Sequence, residues 1–249
     1  MSPAAVSADV TRTAVVVGAS SGIGRALARE LAAAGYEVGL AARRLSELES
    51  LGDSLPTKSF VARMDVSNPD EARDRMDRLA DAMGGVDLVV LSAGVGFENR
   101  ELAWDPERDT VDVNARGFVA LATWAMGHFE SRGAGHLVGI SSVAEFFGNP
   151  VAPAYNASKA FVSRYLDGLR ARAAAADADV TVTDVIPGFV DTEMAMGETF
   201  WMASPETAAA QIHAAIRAGR SRVYVTRRWR LVALLVRLLP EFVTRRLFD

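Results

Sequence analysis

Residues 13–24 read Thr-Ala-Val-Val-Val-Gly-Ala-Ser-Ser-Gly-Ile-Gly, and this stretch decides the fold. The apolar, β-branched run Thr13–Val17 predicts a buried strand that stops at Gly18. Glycines in the spacing G-x-x-x-G-x-G follow, and a segment of helical composition comes next. Such glycines allow a tight turn and a close approach to a pyrophosphate, and the helix N-terminus adds unpaired N–H groups. The stretch therefore predicts a dinucleotide-binding turn, although an ordinary strand-to-helix turn can also use glycines.

Strands and helices alternate along the rest of the chain. The hydrophobic patterns predict strands at 13–17, 36–42, 60–64, 86–92, 136–141, 180–186 and 222–226. They predict helices at 25–34, 45–51, 69–83, 106–131, 154–176 and 205–218. This alternation predicts an α/β fold: a doubly wound, Rossmann-like parallel sheet of about seven strands with helices on both faces. Because no composition break divides the chain, we expect a flexible tail over 1–12 and one domain over 13–249.

Composition excludes several classes of protein. Half of the 249 residues are hydrophobic, so the chain can bury a core and is not disordered. The net charge of −4 disfavours nucleic-acid binding, and the lack of cysteine excludes disulfides, thiolate nucleophiles and cysteine-ligated zinc. The histidines are scattered, so no metal site is predicted. Neither a signal peptide nor a transmembrane helix is recognisable, and we expect a cytoplasmic protein.

Two arginines at the end of the second predicted strand bear on cofactor choice. NAD-selective sites place an acidic residue near this point to bind the ribose hydroxyls, and a carboxylate there repels a 2′-phosphate. Here Arg43 and Arg44 follow the strand, and guanidinium groups bind phosphate well. We therefore expect NADP(H) in preference to NAD(H), with Arg43 as the principal contact and Arg44 as a helper. A solvated basic pair at the start of a helix is the alternative.

Tyr155 and Lys159 are the leading catalytic candidates. They lie one helical turn apart in Tyr-Asn-Ala-Ser-Lys, so they share a helix face. Tyrosine titrates at about pH 10, and a nearby cation lowers its pKa enough for proton transfer near neutrality. Such a pair is also common on helix surfaces. However, only Lys58 and Lys159 are lysines among 27 basic residues, which indicates that position 159 needs a compact ammonium group.

A pair of serines, Ser141 and Ser142, ends the strand that precedes this helix. The carboxyl ends of strands are where open α/β sheets bind ligands. A hydroxyl at this edge could donate to a substrate carbonyl, and an ordinary strand-end cap is the alternative.

Together these motifs, in this order over residues 13–192, resemble the compact single-domain branch of the short-chain dehydrogenase/reductase family. The resemblance implies hydride transfer between NADP(H) and a carbonyl or alcohol, with Tyr155 as general acid or base. It implies a catalytic set of Asn114, Ser142, Tyr155 and Lys159, in which Asn114 anchors a water molecule. It implies cofactor contacts from Gly18, Ser20, Ser21, Gly22, Ile23, Gly24, Asp65, Val66, Ser92, Ala93, Gly94, Pro187, Gly188, Val190 and Thr192, beside Arg43, Arg44, Tyr155 and Lys159.

Two features depart from the family pattern. Ser92 replaces the asparagine of the family's Asn-Ala-Gly motif, which we expect to loosen a contact without abolishing it. The C-terminal segment 227–249 is apolar and basic and lacks the family's usual Asp-Gly-Gly ending. It is too short to span a bilayer, and it leaves open a peripheral membrane contact through 227–248, a subunit contact, or packing on its own domain.

The resemblance also frames the partners and the competing activities. We expect a homo-dimer or tetramer and a mobile substrate lid at about 189–204, whose bulky apolar residues suggest an apolar substrate. A ketone or aldehyde reductase is the leading function. A 3-oxoacyl-thioester or hydroxysteroid-type reductase on the same machinery is the runner-up, and a non-catalytic NADP(H) sensor is the alternative of a different class.

Overall fold

The computed structural model of the chain describes residues 12–191, 201–226 and 228–231. Within them, seven strands form one parallel sheet with helices packed on both faces. The strands are β1 (Thr13–Val17), β2 (Glu37–Ala42), β3 (Ser59–Arg63), β4 (Leu88–Leu91), β5 (Ala134–Ile140), β6 (Asp179–Pro187) and β7 (Arg222–Val225). The helices are α1 (Gly22–Ala33), α2 (Leu45–Asp53), α3 (Pro69–Met83), α4 (Trp104–Val111), α5 (Phe118–Arg132), α6 (Pro153–Ala175) and α7 (Pro205–Arg217).

The strand order β3-β2-β1-β4-β5-β6-β7 gives the sheet its functional edge. Strands β2 and β3 lie on one side of β1, and strands β4 to β7 lie on its other side. Where the winding direction switches, the connections from the two central strands leave toward opposite faces and open a crevice at the carboxyl ends. The predicted doubly wound, Rossmann-like sheet is therefore confirmed, and the switch lies between β1 and β4.

Two apolar layers hold the helices against the sheet. On one face, Leu27 of α1, Leu48 of α2 and Ile212 of α7 are fully buried against the sheet. On the other face, residues of α3, α5 and α6 form the core, with Met76 and Phe129 fully buried. Every residue of β1 is buried, as its continuous apolar sequence predicts for a central parallel strand.

The predicted helix at 106–131 differs from the structure in one respect. The segment starts at Trp104 and is interrupted by a π-helical turn, Asp112–Gly117, between α4 and α5. The turn contains Asn114, whose side chain is bound by the loop after β4. A π-turn adds one residue to a helix without a proline or glycine signal of its own, so hydrophobic periodicity does not reveal it. A short 3₁₀ helix, Val143–Phe146, was also not predicted.

Several predicted features lie outside the described residues. They are the tail up to residue 11, Thr192, the central part of the lid at 193–200, and the C-terminal segment except 228–231. Among the residues that the structure describes, no helix is both long and apolar enough to cross a membrane.

Candidate active site

The glycine turn after β1 lies against the end of β4. At Gly18, φ is +90°, and a β-carbon would lie 2.5 Å from the main-chain nitrogen of Ala93. At Gly24, a β-carbon would overlap the carbonyl oxygen of Gly18, so the first turn of α1 packs directly on the loop. The backbone is thus closed tightly around the N-terminus of α1, an end of a helix at which N–H groups lack intrahelical partners. The tight strand–turn–helix unit has the contacts that the glycine spacing indicated, and its binding of a phosphate stays a prediction.

The two arginines after β2 have different contacts, and the role of Arg43 as the principal phosphate contact stays a prediction. The side chain of Arg44, not Arg43, reaches the glycine turn, with Nη2 at 3.3 Å and Nε at 3.4 Å from Ser20 Oγ. Both arginines are exposed, and Arg43 directly follows β2. The reason is positional, because Arg44 is the residue that precedes α2 and its side chain points back across the turn.

The other predicted cofactor residues of the central strands lie along the same edge. Asp65 follows β3 and closes a turn by accepting from the main-chain nitrogen of Ser67 at 3.0 Å and from its hydroxyl at 2.8 Å. Val66 is buried beside the start of α5. Ser92 directly follows β4, and its hydroxyl lies 3.3 Å from the position that a β-carbon would take at Gly24. The serine at this position therefore faces the glycine turn, as an asparagine would.

Asn114 joins the loop after β4 to helix α6. Its Oδ1 accepts from the main-chain nitrogen of Val95, and its Nδ2 donates to the carbonyl of Val95, both at 2.8 Å. Nδ2 also lies 3.0 Å from the hydroxyl of Ser158, whose own partner is the carbonyl of Tyr155 at 2.7 Å. The buried asparagine therefore fixes the backbone that carries the tyrosine. Its expected role as a water anchor stays a prediction.

Tyr155 and Ser142 face each other across the end of β5. Ser142 is buried at the start of the 3₁₀ helix, where its Oγ accepts from the main-chain nitrogen of Ala144 at 3.1 Å. Burial raises the pKa of Tyr155, and a hydrogen bond with the Ser142 side chain opposes that rise. Ser142, rather than Ser141, is thus the serine beside the phenol, as predicted.

Lys159 is buried on the turn of α6 that follows Tyr155. Its Nζ donates to the carbonyl of Ile140 at 3.1 Å and lies 5.7 Å from the centre of the Tyr155 ring. The expected lowering of the pKa of Tyr155 by this ammonium group stays a prediction. Burial lowers the pKa of Lys159 itself to about 8, against the opposing influence of Asp184.

Several residues that position this site had no recognisable signal in the sequence. Glu107 of α4 accepts from the main-chain nitrogen of Ala154 at 3.0 Å, which caps the N-terminus of α6 just before Tyr155. Asn156 donates to the carbonyls of Ala144 and Phe147, so it holds the loop after Ser142 on α6. Contacts between segments that are distant in sequence produce no recognisable spacing of residues, so they could be found only in the folded chain.

The loop after β6 closes the site from the opposite side. The main-chain nitrogen of Gly188 donates to the carbonyl of Val225 at 2.6 Å, and Val190 pairs with Ala203 in a short parallel bridge. Trp229, from the C-terminal segment, is buried with Ile186, and its ring centre lies 5.4 Å from that of Phe189. The described start of this segment therefore packs on its own domain, next to Pro187 and Gly188.

No group of three or more histidine, aspartate or glutamate side chains is arranged to hold a metal ion within the described ranges.

Comparisons with known proteins agree with this geometry. The chain matches the family model described as short chain dehydrogenase over residues 12–203. It is 39% identical over 196 residues to an uncharacterized oxidoreductase of Myxococcus xanthus, and the alignment covers 77% of each chain.

Two solved structures are similar in fold. A short-chain dehydrogenase/reductase from Burkholderia phymatum, in complex with NAD, superposes with a TM-score of 0.81 at 22% identity, over 90% of this chain and 92% of that one. A short-chain dehydrogenase from Sphingobium yanoikuyae, in complex with NADPH, superposes with a TM-score of 0.78 at 20% identity, over 89% of this chain and 92% of that one. At these identities the superpositions establish the fold alone.

Proposed function

The chain belongs to the short-chain dehydrogenase family and is an oxidoreductase, and we propose that it interconverts a carbonyl compound and an alcohol with NADP(H) as its cofactor. The observation that carries the proposal is that Ser142, Tyr155 and Lys159 lie together at the carboxyl end of β5, on the edge of the sheet to which the glycine turn also belongs. A hydroxyl, a phenol and an ammonium group placed together supply what the reduction of a carbonyl requires from a protein: orientation of the oxygen and a proton for it.

The residues at the strand ends fit a dinucleotide. The space beside Gly18 and Gly24 is too small for any side chain, which leaves backbone N–H groups to face a pyrophosphate. When bound, the cofactor supplies or accepts the hydride. Asp65 and Val66 at the end of β3 would hold the adenine, and Pro187 and the loop after it would cover the nicotinamide.

The preference for NADP(H) rests on the arginines after β2. A ribose 2′-phosphate at this position would meet the guanidinium of Arg44, which is already directed at the turn by Ser20. Arg43, exposed beside it, adds positive charge. Similar folds bind NAD as well as NADPH, so the fold does not decide the cofactor, and the arginine side chains carry this part of the proposal.

Tyr155 is the proton donor in the direction of reduction. Its raised pKa keeps the phenol protonated at neutral pH, which is the form that gives a proton to the substrate oxygen. Ser142 would hold that oxygen in place, since its hydroxyl already lies beside the phenol. Lys159 would bind the nicotinamide ribose and stabilise the phenolate that remains after the transfer.

An apolar substrate is the best match for the surroundings of Ser142. Val143, Ile186 and Trp229 form a buried cluster at this edge, and Phe146, Phe189 and Tyr224 pack against it. Apolar side chains beside the site favour an apolar ketone or aldehyde, and they suit a 3-oxoacyl thioester or a hydroxysteroid as well. The non-catalytic sensor is disfavoured, because a sensor has no need of a serine, a tyrosine and a lysine gathered at one strand end.

Helices α4 and α6 support the expected homo-dimer or tetramer. Trp104 and Phe161 expose 71% and 42% of their surface, which is unusual for side chains of this size unless a partner covers them.

A turnover assay tests the proposal. The loss of NADPH absorbance is followed after addition of a panel of apolar aromatic and alicyclic ketones and aldehydes, with 3-oxoacyl thioesters and steroid ketones as separate arms. We expect consumption with at least one carbonyl class and slower consumption with NADH. If none of these substrates is turned over with either cofactor, in either direction, the assignment as a carbonyl reductase is wrong.

The pH dependence of reduction follows from Lys159. Its pKa is lowered from the ordinary lysine value to about 8, so the ammonium is present below that pH and is lost as the pH rises through it. Tyr155 stays protonated over the same interval because its own pKa is raised. We expect kcat/KM for reduction to be flat near neutrality and to fall above about pH 8, which a stopped-flow pH series would show. A flat profile to pH 10 would contradict the role given to Lys159.

A further inference from the structure

Asp184 on β6 is a fully buried carboxylate that the mechanism above does not use. Its Oδ1 accepts from the hydroxyl of Ser141 at 2.6 Å, and its Oδ2 accepts from the hydroxyl of Ser163 at 2.8 Å. The guanidinium of Arg222 on β7 lies 3.3 Å from Oδ2. A buried carboxylate is tolerated only when its oxygens are bonded and its charge is balanced, and both conditions are met here.

Both serines that bond Asp184 belong to segments that carry catalytic side chains. Ser141 directly precedes Ser142 at the end of β5. Ser163 lies one helical turn after Lys159, on the face of α6 that covers the sheet. One carboxylate therefore holds the strand end and the helix together at the level where their catalytic side chains meet.

The charges around Lys159 come from three other elements. Asp184 faces it from β6 and favours its charged form, whereas burial disfavours that form. Glu145 lies in the 3₁₀ helix, and its Oε1 is 3.3 Å from the Ser163 hydroxyl. Arg222 on β7 is shared between Asp184 and Asp167, the latter at 3.1 Å. Together with Tyr155, one turn before Lys159, these four side chains are the titratable groups described around the lysine.

The two carboxylates that approach the Ser163 hydroxyl differ in their surroundings. Burial and the charge of Asp184 raise the pKa of Glu145 to about 7. Asp184 accepts hydrogen bonds from two hydroxyl groups and faces the guanidinium of Arg222.

We propose that Asp184 is a positioning residue for Lys159: through Ser141 and Ser163 its carboxylate holds together the strand end before Ser142 and the helix turn after Lys159, and its negative charge acts on the buried ammonium group. The proposal rests on the proposed function for the role of Lys159 in turnover. The position and charge of Asp184 relative to the lysine are independent of that function.

The scarcity of lysine in this chain makes a direct test possible. Lys58 and Lys159 are the only lysines, so protein labelled with ¹³C at the lysine ε-carbon gives two signals, and Lys58→Arg assigns them. A pH titration then reads the pKa of Lys159 in the full-length protein, with exposed Lys58 as an internal reference. In Asp184→Asn, which keeps the shape of the side chain and removes its charge, we expect the pKa of Lys159 to fall by about one unit.

Two further variants separate charge from fold. Arg222→Gln removes the cation that shields Asp184, so the pKa of Lys159 is expected to move in the opposite direction, upward. Asp87→Asn is the structural control, because the Asp87 carboxylate also accepts from a hydroxyl group, that of Thr13, but at the amino end of the sheet. It should lower the melting temperature without moving the pKa of Lys159.

An unchanged pKa of Lys159 in folded Asp184→Asn overturns the proposal. Where Asp184→Asn does not fold, Arg222→Gln decides alone, and a pKa of Lys159 that fails to rise overturns the proposal. Since the titration needs no substrate, a wild-type protein without turnover would contradict the proposed function and leave this result intact. Where turnover is found, the pH above which kcat/KM falls should shift in each variant in the same direction as the pKa of Lys159.

Discussion

Tyr155→Phe is expected to lower the turnover number by about a hundredfold to ten-thousandfold, the range that a lost general acid costs. The phenol is the group beside Ser142 whose raised pKa keeps a proton available at neutral pH. Phenylalanine keeps the ring, so the packing of α6 and the affinity for NADPH should stay nearly unchanged. Steady-state kinetics, with NADPH affinity measured by fluorescence, separates the two effects.

Tyr165→Phe is the matched control for this experiment. Tyr165 lies further along the same helix, beyond Lys159. Its ring is stacked on Phe161, and burial raises its pKa as it does that of Tyr155. Its hydroxyl should be dispensable for turnover. If Tyr155→Phe retained turnover close to that of Tyr165→Phe, the assignment of the proton donor would be wrong.

Gly18→Ala is expected to destabilise the fold and to abolish cofactor binding. The left-handed φ of +90° costs a residue with a β-carbon about 1–2 kcal/mol. In addition, the new β-carbon would lie 2.5 Å from the nitrogen and 2.8 Å from the α-carbon of Ala93, which are main-chain atoms that cannot rotate away. Overpacking of this kind adds about 1–3 kcal/mol, and the displaced turn loses its phosphate-facing N–H groups.

Gly35→Ala is the control that separates the backbone strain of a positive φ from the steric overlap at Gly18. Gly35 follows α1 with φ of +89°, yet no atom lies within 4 Å of its β-carbon position. Thermal unfolding should show a small loss of stability in Gly35→Ala, a larger loss in Gly18→Ala, and stabilisation by NADPH in the former only. Equal losses in the two variants would mean that the turn does not lie closely against β4.

The sequence predicts the sheet well because its signals are local. Thr13–Val17 is a continuous apolar run, and in the structure all of it is buried in the central strand. The glycine turn was equally predictable, since Gly24 packs on Gly18 within the same strand–turn–helix unit. Tyr155 and Lys159 could be singled out because they lie one turn apart on one helix.

The features that sequence reasoning missed depend on contacts between distant segments. Arg44, not Arg43, reaches Ser20, and this choice depends on where α2 begins relative to the turn. The π-turn at Asn114 is stabilised by the loop after β4. Asp184 looks like an ordinary polar residue in a strand, and only the folded sheet places it between Ser141, Ser163 and Arg222.

Paired fluorescence titrations of the wild-type protein with NADPH and with NADH test the central claim most directly. We expect NADPH to bind at least about tenfold more tightly, the gain from one charge-assisted contact of about 1.5–3 kcal/mol. Arg44→Ala should remove most of this preference, and Arg43→Ala a smaller part. Binding of NADH as tight as that of NADPH would contradict the assignment of NADP(H), and binding of neither would contradict the proposed oxidoreductase site itself.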